Sequence, residues 1–269
     1  MKLKILAVAL VLCLCGAPLW AGSLVIKGST TVLPIAQKCA ESFMQAHPEV
    51  DISVSGGGSG NGIKALIDGT TDIADASRFI KDKEVKRAVE KGHYPVPFGV
   101  ALDSIVPVVH PSNAVSDLTL DQLKALYEGK VKNWRELNGP DRPIVVVSRD
   151  TSSGTYEVWE DRVLAGGRVT PRAQLLASNG AVAQAVAKNK NAIGYIGIGY
   201  LNKDLKAVNV NGITPSKMTT ASGEYPISRT LFMFTDGWPQ GETLQFINFV
   251  LHPDQGQTLV EETGYVAKY

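Results

Sequence analysis

Three times in this 269-residue chain an apolar run leads into a short turn of glycine and hydroxyl residues that opens a helical pattern. Leu24-Val25-Ile26 runs into Gly28-Ser29-Thr30-Thr31, and the spacing predicts a helix over residues 34–45, with Pro34 in a first turn where a missing N–H costs nothing. Residues 51–55 alternate as a strand, with Ile52 and Val54 on one face. Gly58-Ser59-Gly60-Asn61-Gly62 follows, then a helix over 63–67. An apolar strand over 144–147 ends at Arg149, and Ser152-Ser153-Gly154-Thr155 precedes a helix from Tyr156. Between and after these units, strands predicted at 72–76, 193–196 and 231–234 alternate with helices at 81–91, 120–127, 181–187, 243–251 and 256–262. Residues 96–109 read as extended apolar segments broken by Pro97 and Pro107. Such alternation predicts an α/β fold with helices on both faces of its sheet.

The first 21 residues are excluded from that fold. Lys2 and Lys4 precede an apolar run over 5–15, broken by Gly16, Ala17 and Pro18. The run is shorter than the roughly 20 residues that a spanning helix needs and has the layout of a secretory signal, with cleavage expected after Ala21. Lipidation at Cys13 or Cys15 is the alternative; each follows a leucine where a small residue is expected. Without Lys2 and Lys4 the chain has 25 basic and 26 acidic residues, a balance that argues against a nucleic-acid partner. Any anion site must then be local. Beyond the signal, Cys39 stands alone, so no internal disulfide is possible, and its helical setting reads as a buried small hydrophobe. The four histidines show no metal-ligand spacing, and neither a metal nor a cofactor is expected.

The three turns share one chemistry. A helix start offers free N–H groups and a partial positive charge, glycine lets backbone approach a ligand, and hydroxyls add neutral donors and acceptors. Their plain role is helix capping, and three together favour a shared site over three caps. Arg149 and Arg78 stand at strand ends beside these turns, where a planar fork of donors suits a tetrahedral oxyanion; the alternative for each is a surface ion pair. No G-x-x-x-x-G-K-[ST] and no G-x-S-x-G occurs. Gly60-Asn61-Gly62-Ile63-Lys64-Ala65 matches the loose dinucleotide pattern but follows the second strand and lacks a ribose-binding acid.

The segments Gly28-Ser29-Thr30-Thr31-Val32-Leu33-Pro34, Ser55 to Ile63, Asp72-Ile73-Ala74-Asp75-Ala76-Ser77-Arg78 and Ser148-Arg149-Asp150-Thr151-Ser152-Ser153-Gly154-Thr155 together resemble the periplasmic phosphate-binding proteins of bacterial phosphate ABC transporters. Asn191-Ala192-Ile193-Gly194-Tyr195 and Tyr225-Pro226-Ile227-Ser228-Arg229 look like later landmarks of that family, so the resemblance runs in order through nearly the whole mature chain.

The resemblance implies a two-lobed type II binding-protein fold, lobe 1 being 22–101 with 228–269 and lobe 2 being 102–227, joined by two crossing strands. It implies a monomer that is no enzyme, that takes up inorganic phosphate in the periplasm and hands it to the membrane permease subunits of an ABC importer. By position, Thr30, Thr31 and Ser59 would bind phosphate from the first lobe, with Ser29 beside them, and Arg149, Ser153, Gly154 and Thr155 from the second. Asp150 is a candidate to orient Arg149, and Asn179-Gly180 to line the cleft. Some members carry a cleft aspartate where this chain has Ser77-Arg78, both retained as candidate ligands; the proton acceptor would then be a hydroxyl or Asp75. Hinges are expected near 100–104 and 226–229. The alternatives are another tetrahedral oxyanion such as sulfate or molybdate, a phosphate-ester hydrolase, for which neither a metal cluster nor an activated nucleophile is evident, and an adhesin or sensor on the same fold.

Overall fold

The computed structural model describes residues 22–269. The signal segment, its cleavage point and the alternative lipidation sites fall within residues 1–21 and lie outside the described residues. In chain order the elements are β1 (Gly22–Gly28), α1 (Leu33–Ala46), β2 (Val50–Gly56), α2 (Ser59–Ile67), β3 (Ile73–Ala76), α3 (Asp82–Glu90), β4 (Pro95–Val109), β5 (Asp117–Leu118) and α4 (Leu120–Tyr127). There follow β6 (Val145–Arg149), α5 (Gly154–Arg162), β7 (Gln174–Leu176), α6 (Asn179–Ala187), β8 (Ala192–Gly197), β9 (Lys206–Ala207), β10 (Asn209–Val210), α7 (Lys217–Ala221), β11 (Ser228–Asp236), α8 (Gly241–Leu251) and α9 (Thr258–Glu262). The expected α/β alternation is borne out.

The main sheet runs β2-β1-β3-β11-β4-β8-β6-β7. β1 is parallel to β2 and β3, with Gly28 opposite both Gly56 and Asp75, so these strands finish at one edge. β11 lies antiparallel between β3 and β4. β4 belongs to both halves of the sheet: Pro95 through Ser104 pair with β11, and Ile105 through Val109 pair with β8. β8, β6 and β7 run parallel to one another. At the change of partner the Ile105 N–H donates to the Ile227 carbonyl at 2.9 Å, and the Ser104 hydroxyl lies 2.7 Å from Thr220 and 3.1 Å from Ser228. The two passages of chain between the halves therefore lie side by side.

Apolar alternation explains the layers. Leu24, Ile26, Val50 and Ile52 turn to a core shared with Ile35, Cys39 and Phe43 of α1 and Phe246, Ile247 and Val250 of α8. The opposite face of the first half packs Ala74, Ala76 and Phe234 against Ile63, Leu66 and Ile67 of α2 and Ala88 of α3. In the second half Trp159 stacks on Tyr195 at 4.3 Å with Tyr127 tilted against both, an arrangement worth about 1 kcal/mol beyond burial alone.

Several elements differ from expectation in one consistent way. α2 starts at Ser59 rather than residue 63, α5 at Gly154 rather than 156, and α6 at Asn179 rather than 181. The turn residues themselves form the first helical turns. At Gly62 a Cβ would lie 2.5 Å from the Lys27 carbonyl oxygen and 2.6 Å from the Gly28 Cα, so this glycine serves the close packing of α2 on β1, not a turn. Residues 96–109, expected as interrupted segments, form one strand. Pro107 sits in it opposite Tyr195, and its carbonyl still accepts from the Val208 N–H at 2.9 Å. The helix expected over 256–262 divides into a π-helical turn, Pro253–Gln257, and α9.

Candidate functional site

The sheet edge at which β1 and β3 end also receives β6, and the residues leaving these strands are held in place by the backbone. The Ser29 N–H donates to the Asp75 carbonyl at 2.8 Å, prolonging the β1–β3 ladder by one residue. Gly28 has φ +144°, and a Cβ there would collide with the Asp75 carbonyl oxygen, so only glycine lets β1 turn into Ser29-Thr30-Thr31. The Ser29 hydroxyl accepts from the Thr31 N–H at 3.1 Å, which orients the entry to α1. On the other side of the site, the Ser153 hydroxyl accepts from the Tyr156 N–H at 3.2 Å and caps α5.

These turns converge. The Thr31 and Thr155 hydroxyl oxygens are 2.9 Å apart, and those of Ser59 and Ser77 are 3.2 Å apart. A Cβ on Gly154 would contact the Ser59 hydroxyl, lie 2.9 Å from the Ser59 Cβ and lie 2.9 Å from the Ser77 Oγ. The backbone joins the same two sides: the Gly60 N–H donates to the Ser152 carbonyl at 2.9 Å, and the Ser152 Oγ lies 3.2 Å from the Gly57 carbonyl oxygen. Ser29, Thr30, Thr31, Ser59, Ser77, Ser153 and Thr155 are all buried. The starts of α1, α2, α5 and α6 thus share one enclosed polar region, and each brings N–H groups with no acceptor inside its helix.

The three arginines here differ in their partners. Arg149 is fully buried at the end of β6; its Nε donates to the Leu176 carbonyl and its Nη2 to the Ala177 carbonyl, each at 2.9 Å, while its Nη1 has no partner. Burial draws this guanidinium below its ordinary pKa. Its positive charge is braced by neutral carbonyls, which leaves it available to an anion. Asp150, expected to orient Arg149, accepts instead from the Ser152 N–H at 2.9 Å and from the Ser152 hydroxyl. Arg78 turns out of the hydroxyl cluster: its Nη1 and Nη2 each reach one Glu84 carboxylate oxygen at 2.8 Å, and its Nε lies 2.7 Å from Glu157. Ser77 and Arg78 lie in the bend that follows β3, where the Ser77 hydroxyl meets Ser59 and the Arg78 side chain meets Glu84 and Glu157.

The sequence marks the third arginine, Arg229, only as a landmark and hinge neighbour. Its Nε donates to Asp103 at 2.8 Å and its Nη2 to the Thr155 hydroxyl at 3.0 Å, and its Nη1 donates to the Ser77 carbonyl at 3.0 Å. Burial raises the Asp103 carboxyl, opposed by Arg229 beside it and by the Ile198 N–H that it accepts. An aspartate inside the apolar run Ala101-Leu102-Asp103-Ser104-Ile105 was the available sign of a buried cation. Asn179 joins the cluster too. Its Nδ2 donates to Thr30 at 3.1 Å and Thr31 at 3.0 Å, while its Oδ1 accepts from the Gly197 N–H at 3.1 Å. Tyr200 closes the rim by donating to the Thr30 carbonyl at 2.6 Å.

Asp75 makes no hydrogen bond to these hydroxyls. Both carboxyl oxygens are buried without a partner, and burial pushes its pKa well above the carboxylate range. The region therefore combines hydroxyls, helix-start N–H groups and one carbonyl-braced guanidinium. That chemistry holds an oxyanion and supplies no activated nucleophile. Among the described residues no group of three or more His, Cys, Asp or Glu is placed to hold a metal ion, and no helix is long and apolar enough to cross a membrane.

A family model described as the PBP superfamily domain matches residues 18–254. The chain is 33% identical over 247 residues to the phosphate-binding protein PstS of Bacillus subtilis, covering 91% of this chain and 81% of that protein. It is 38% identical over 260 residues to the phosphate-binding protein PstS of Staphylococcus epidermidis, covering 91% and 79%. Among solved structures it is similar to one from Clostridium perfringens described as a phosphate ABC transporter substrate-binding protein with bound phosphate. The TM-score is 0.85 at 34% identity, over 92% of this chain and 100% of that one. It is also similar to an ABC-type phosphate transport receptor from Vibrio cholerae, with a TM-score of 0.74 at 32% identity over 90% and 99%.

Proposed function

The chain belongs to the PBP superfamily and, within it, to the phosphate-binding protein family, and on that premise we propose that it binds inorganic phosphate and delivers it to an ABC importer. The observation that carries the reading is Arg149 Nη1, a buried guanidinium nitrogen without a protein partner, at the end of β6 where the chain turns into α5. Phosphate would bind to Thr30, Thr31 and Ser59, with Ser29 and Ser77 beside them, and to Arg149, Ser153, Gly154 and Thr155. Asn179 and Arg229 would hold the threonine hydroxyls in register. Charge-assisted hydrogen bonds of roughly 1.5–3 kcal/mol each, less the ordering they demand, are consistent with micromolar or tighter affinity.

The two halves of the sheet would act as lobes that swing together on phosphate. The change of β4 partner between Ser104 and Ile105 supports a boundary close to the one expected after residue 101, and the Ile105–Ile227 bond supports the second crossing beside residue 228. The protein would work as a monomer in the periplasm, against membrane permease subunits. An anchor at Cys13 or Cys15 is the alternative to release after Ala21.

Calorimetric titration of the anion-stripped protein with phosphate, sulfate and molybdate tests the reading. Micromolar or tighter phosphate binding with weak sulfate binding is expected. Equal binding of all three would make the protein a general oxyanion carrier, and no binding would remove the proposal.

A further inference from the structure

We propose that Glu157 is a positioning residue for ligand retention: by pairing with Arg78 and Lys81 across the two halves of the sheet, it holds the start of α5 closed over the bound anion. The inference rests on the phosphate-binding reading above.

Arg78 and Lys81 leave β3 and lead into α3, in the first half; Glu157 lies on α5, in the second. The Arg78 Nε is 2.7 Å from a Glu157 carboxylate oxygen, and the Lys81 ammonium contacts the same oxygen. The pair is well shielded, with side-chain exposures of 7% for Arg78 and 13% for Glu157. Each charged residue adjoins a site residue on its own side. Ser77 precedes Arg78 and faces the Ser59 hydroxyl; Thr155 lies two positions before Glu157 and faces Thr31 and Arg229. Two positions on a helix differ by about 200°, so one helical turn can present Thr155 to the hydroxyl cluster and Glu157 to its outer wall.

The charges match an association that forms and breaks. Arg78 already has a forked partner within its own half, Glu84, which caps α3 through the Lys81 N–H at 2.9 Å. When the halves part, Glu84 keeps the guanidinium compensated and Glu157 returns to water. The Glu157 contact is thus a property of the closed form alone. Removing it leaves no uncompensated buried charge, unlike the usual loss of one partner of a buried pair. With Lys81 and Arg78 against Glu84 and Glu157 the network is neutral, so it holds the door without changing the net charge offered to the ligand. It also gives Arg78 a role outside the anion site.

The test is stopped-flow measurement of phosphate association and release for the full mature protein and Glu157→Gln. The expected result is about a tenfold faster release with association within about twofold, because contacts formed only on closure act on release. The gap between variant and parent should shrink as ionic strength rises. Glu157→Asp should restore part of the slow release, and Lys81→Met should give a smaller change in the same direction. The ligand-free melting temperature of Glu157→Gln should match the parent. Release unchanged in Glu157→Gln, in a parent that binds phosphate, overturns the latch alone. Faster release with an equally lowered ligand-free melting temperature overturns it as well, by making Glu157 a general stabiliser. A parent that binds no phosphate overturns the binding reading and the latch together.

Discussion

The hydroxyl oxygens of Thr31 and Thr155, 124 positions apart in the chain, lie 2.9 Å from each other. Each already accepts an N–H: Thr31 from Asn179 at 3.0 Å and Thr155 from Arg229 at 3.0 Å. Between them they own two hydroxyl hydrogens, and only one can lie on the line joining the oxygens. The other must point elsewhere and is free to reach an acceptor. A bonded pair of threonines is in this way a donor aimed by its neighbours.

Replacing Arg149 by alanine should weaken phosphate binding at least tenfold by calorimetry, because the one carbonyl-braced guanidinium of the cluster is lost. Arg149→Lys should recover little of it, since a single ammonium cannot span the Leu176 and Ala177 carbonyls and still present a donor. Full affinity in the alanine variant would place the anion elsewhere.

Gly154→Ala puts a methyl 2.9 Å from both the Ser59 Cβ and the Ser77 Oγ. Approach of α5 to α2 is then blocked by a bonded carbon as well as by a movable hydroxyl. Phosphate affinity should fall by about tenfold or more, with the ligand-free melting temperature little changed if closure is the step affected. Retained affinity would show that the two sides do not need this contact.

Asp75 makes stability depend on pH. Burial holds its carboxyl well above the carboxylate range in the folded chain, while in the unfolded chain it loses its proton near the ordinary 3.8. Its contribution is therefore fully present below that value and is lost progressively as pH rises toward the elevated folded pKa. Asp75→Asn removes the titration while keeping the shape. Melting of the variant and the parent should coincide near about pH 4 and separate by pH 7.5, with the variant the more stable. Equal melting temperatures at both pH values would contradict a neutral buried Asp75.

Cys39 should behave as an inert thiol. It is fully enclosed in α1, and burial, aided by the nearby Asp75, pushes its pKa up to about 12. Ellman's reagent at pH 8 should label it only after denaturation. Prompt labelling of the native protein would mean that α1 opens readily.

Much of the site could be read from residue order. The glycine and hydroxyl turns near residues 29, 59 and 153 announce helix starts, and the fold brings all three to one edge. Two of their helices, α2 and α5, start four and two residues earlier than the pattern predicts, because glycine is a poor helix former and reads as a turn. Contacts such as Gly154 against Ser59 and Gly62 against Lys27 decide otherwise, and these are tertiary. Arg78 shows a second limit. Its position after a strand is evident, yet the side it faces is set by the bend beyond Ala76 and by Glu84 and Glu157, which the pattern Ile73-Ala74-Asp75-Ala76 does not specify. The Arg229–Asp103 pair shows a third. The residues are 126 positions apart, and each becomes intelligible only when β11 is laid beside β4.

That placement of β11 has a consequence for how the chain is made. β3 and the first part of β4 do not touch; β11, which starts at Ser228, fills the space between them and bonds to both. On a ribosome every strand of the second half leaves the exit tunnel before β11 does. The half encoded first must wait with an unfilled gap in its sheet while the half encoded later has all its strands to hand, and the last wedge of sheet to arrive is also the one that carries Arg229 to Thr155.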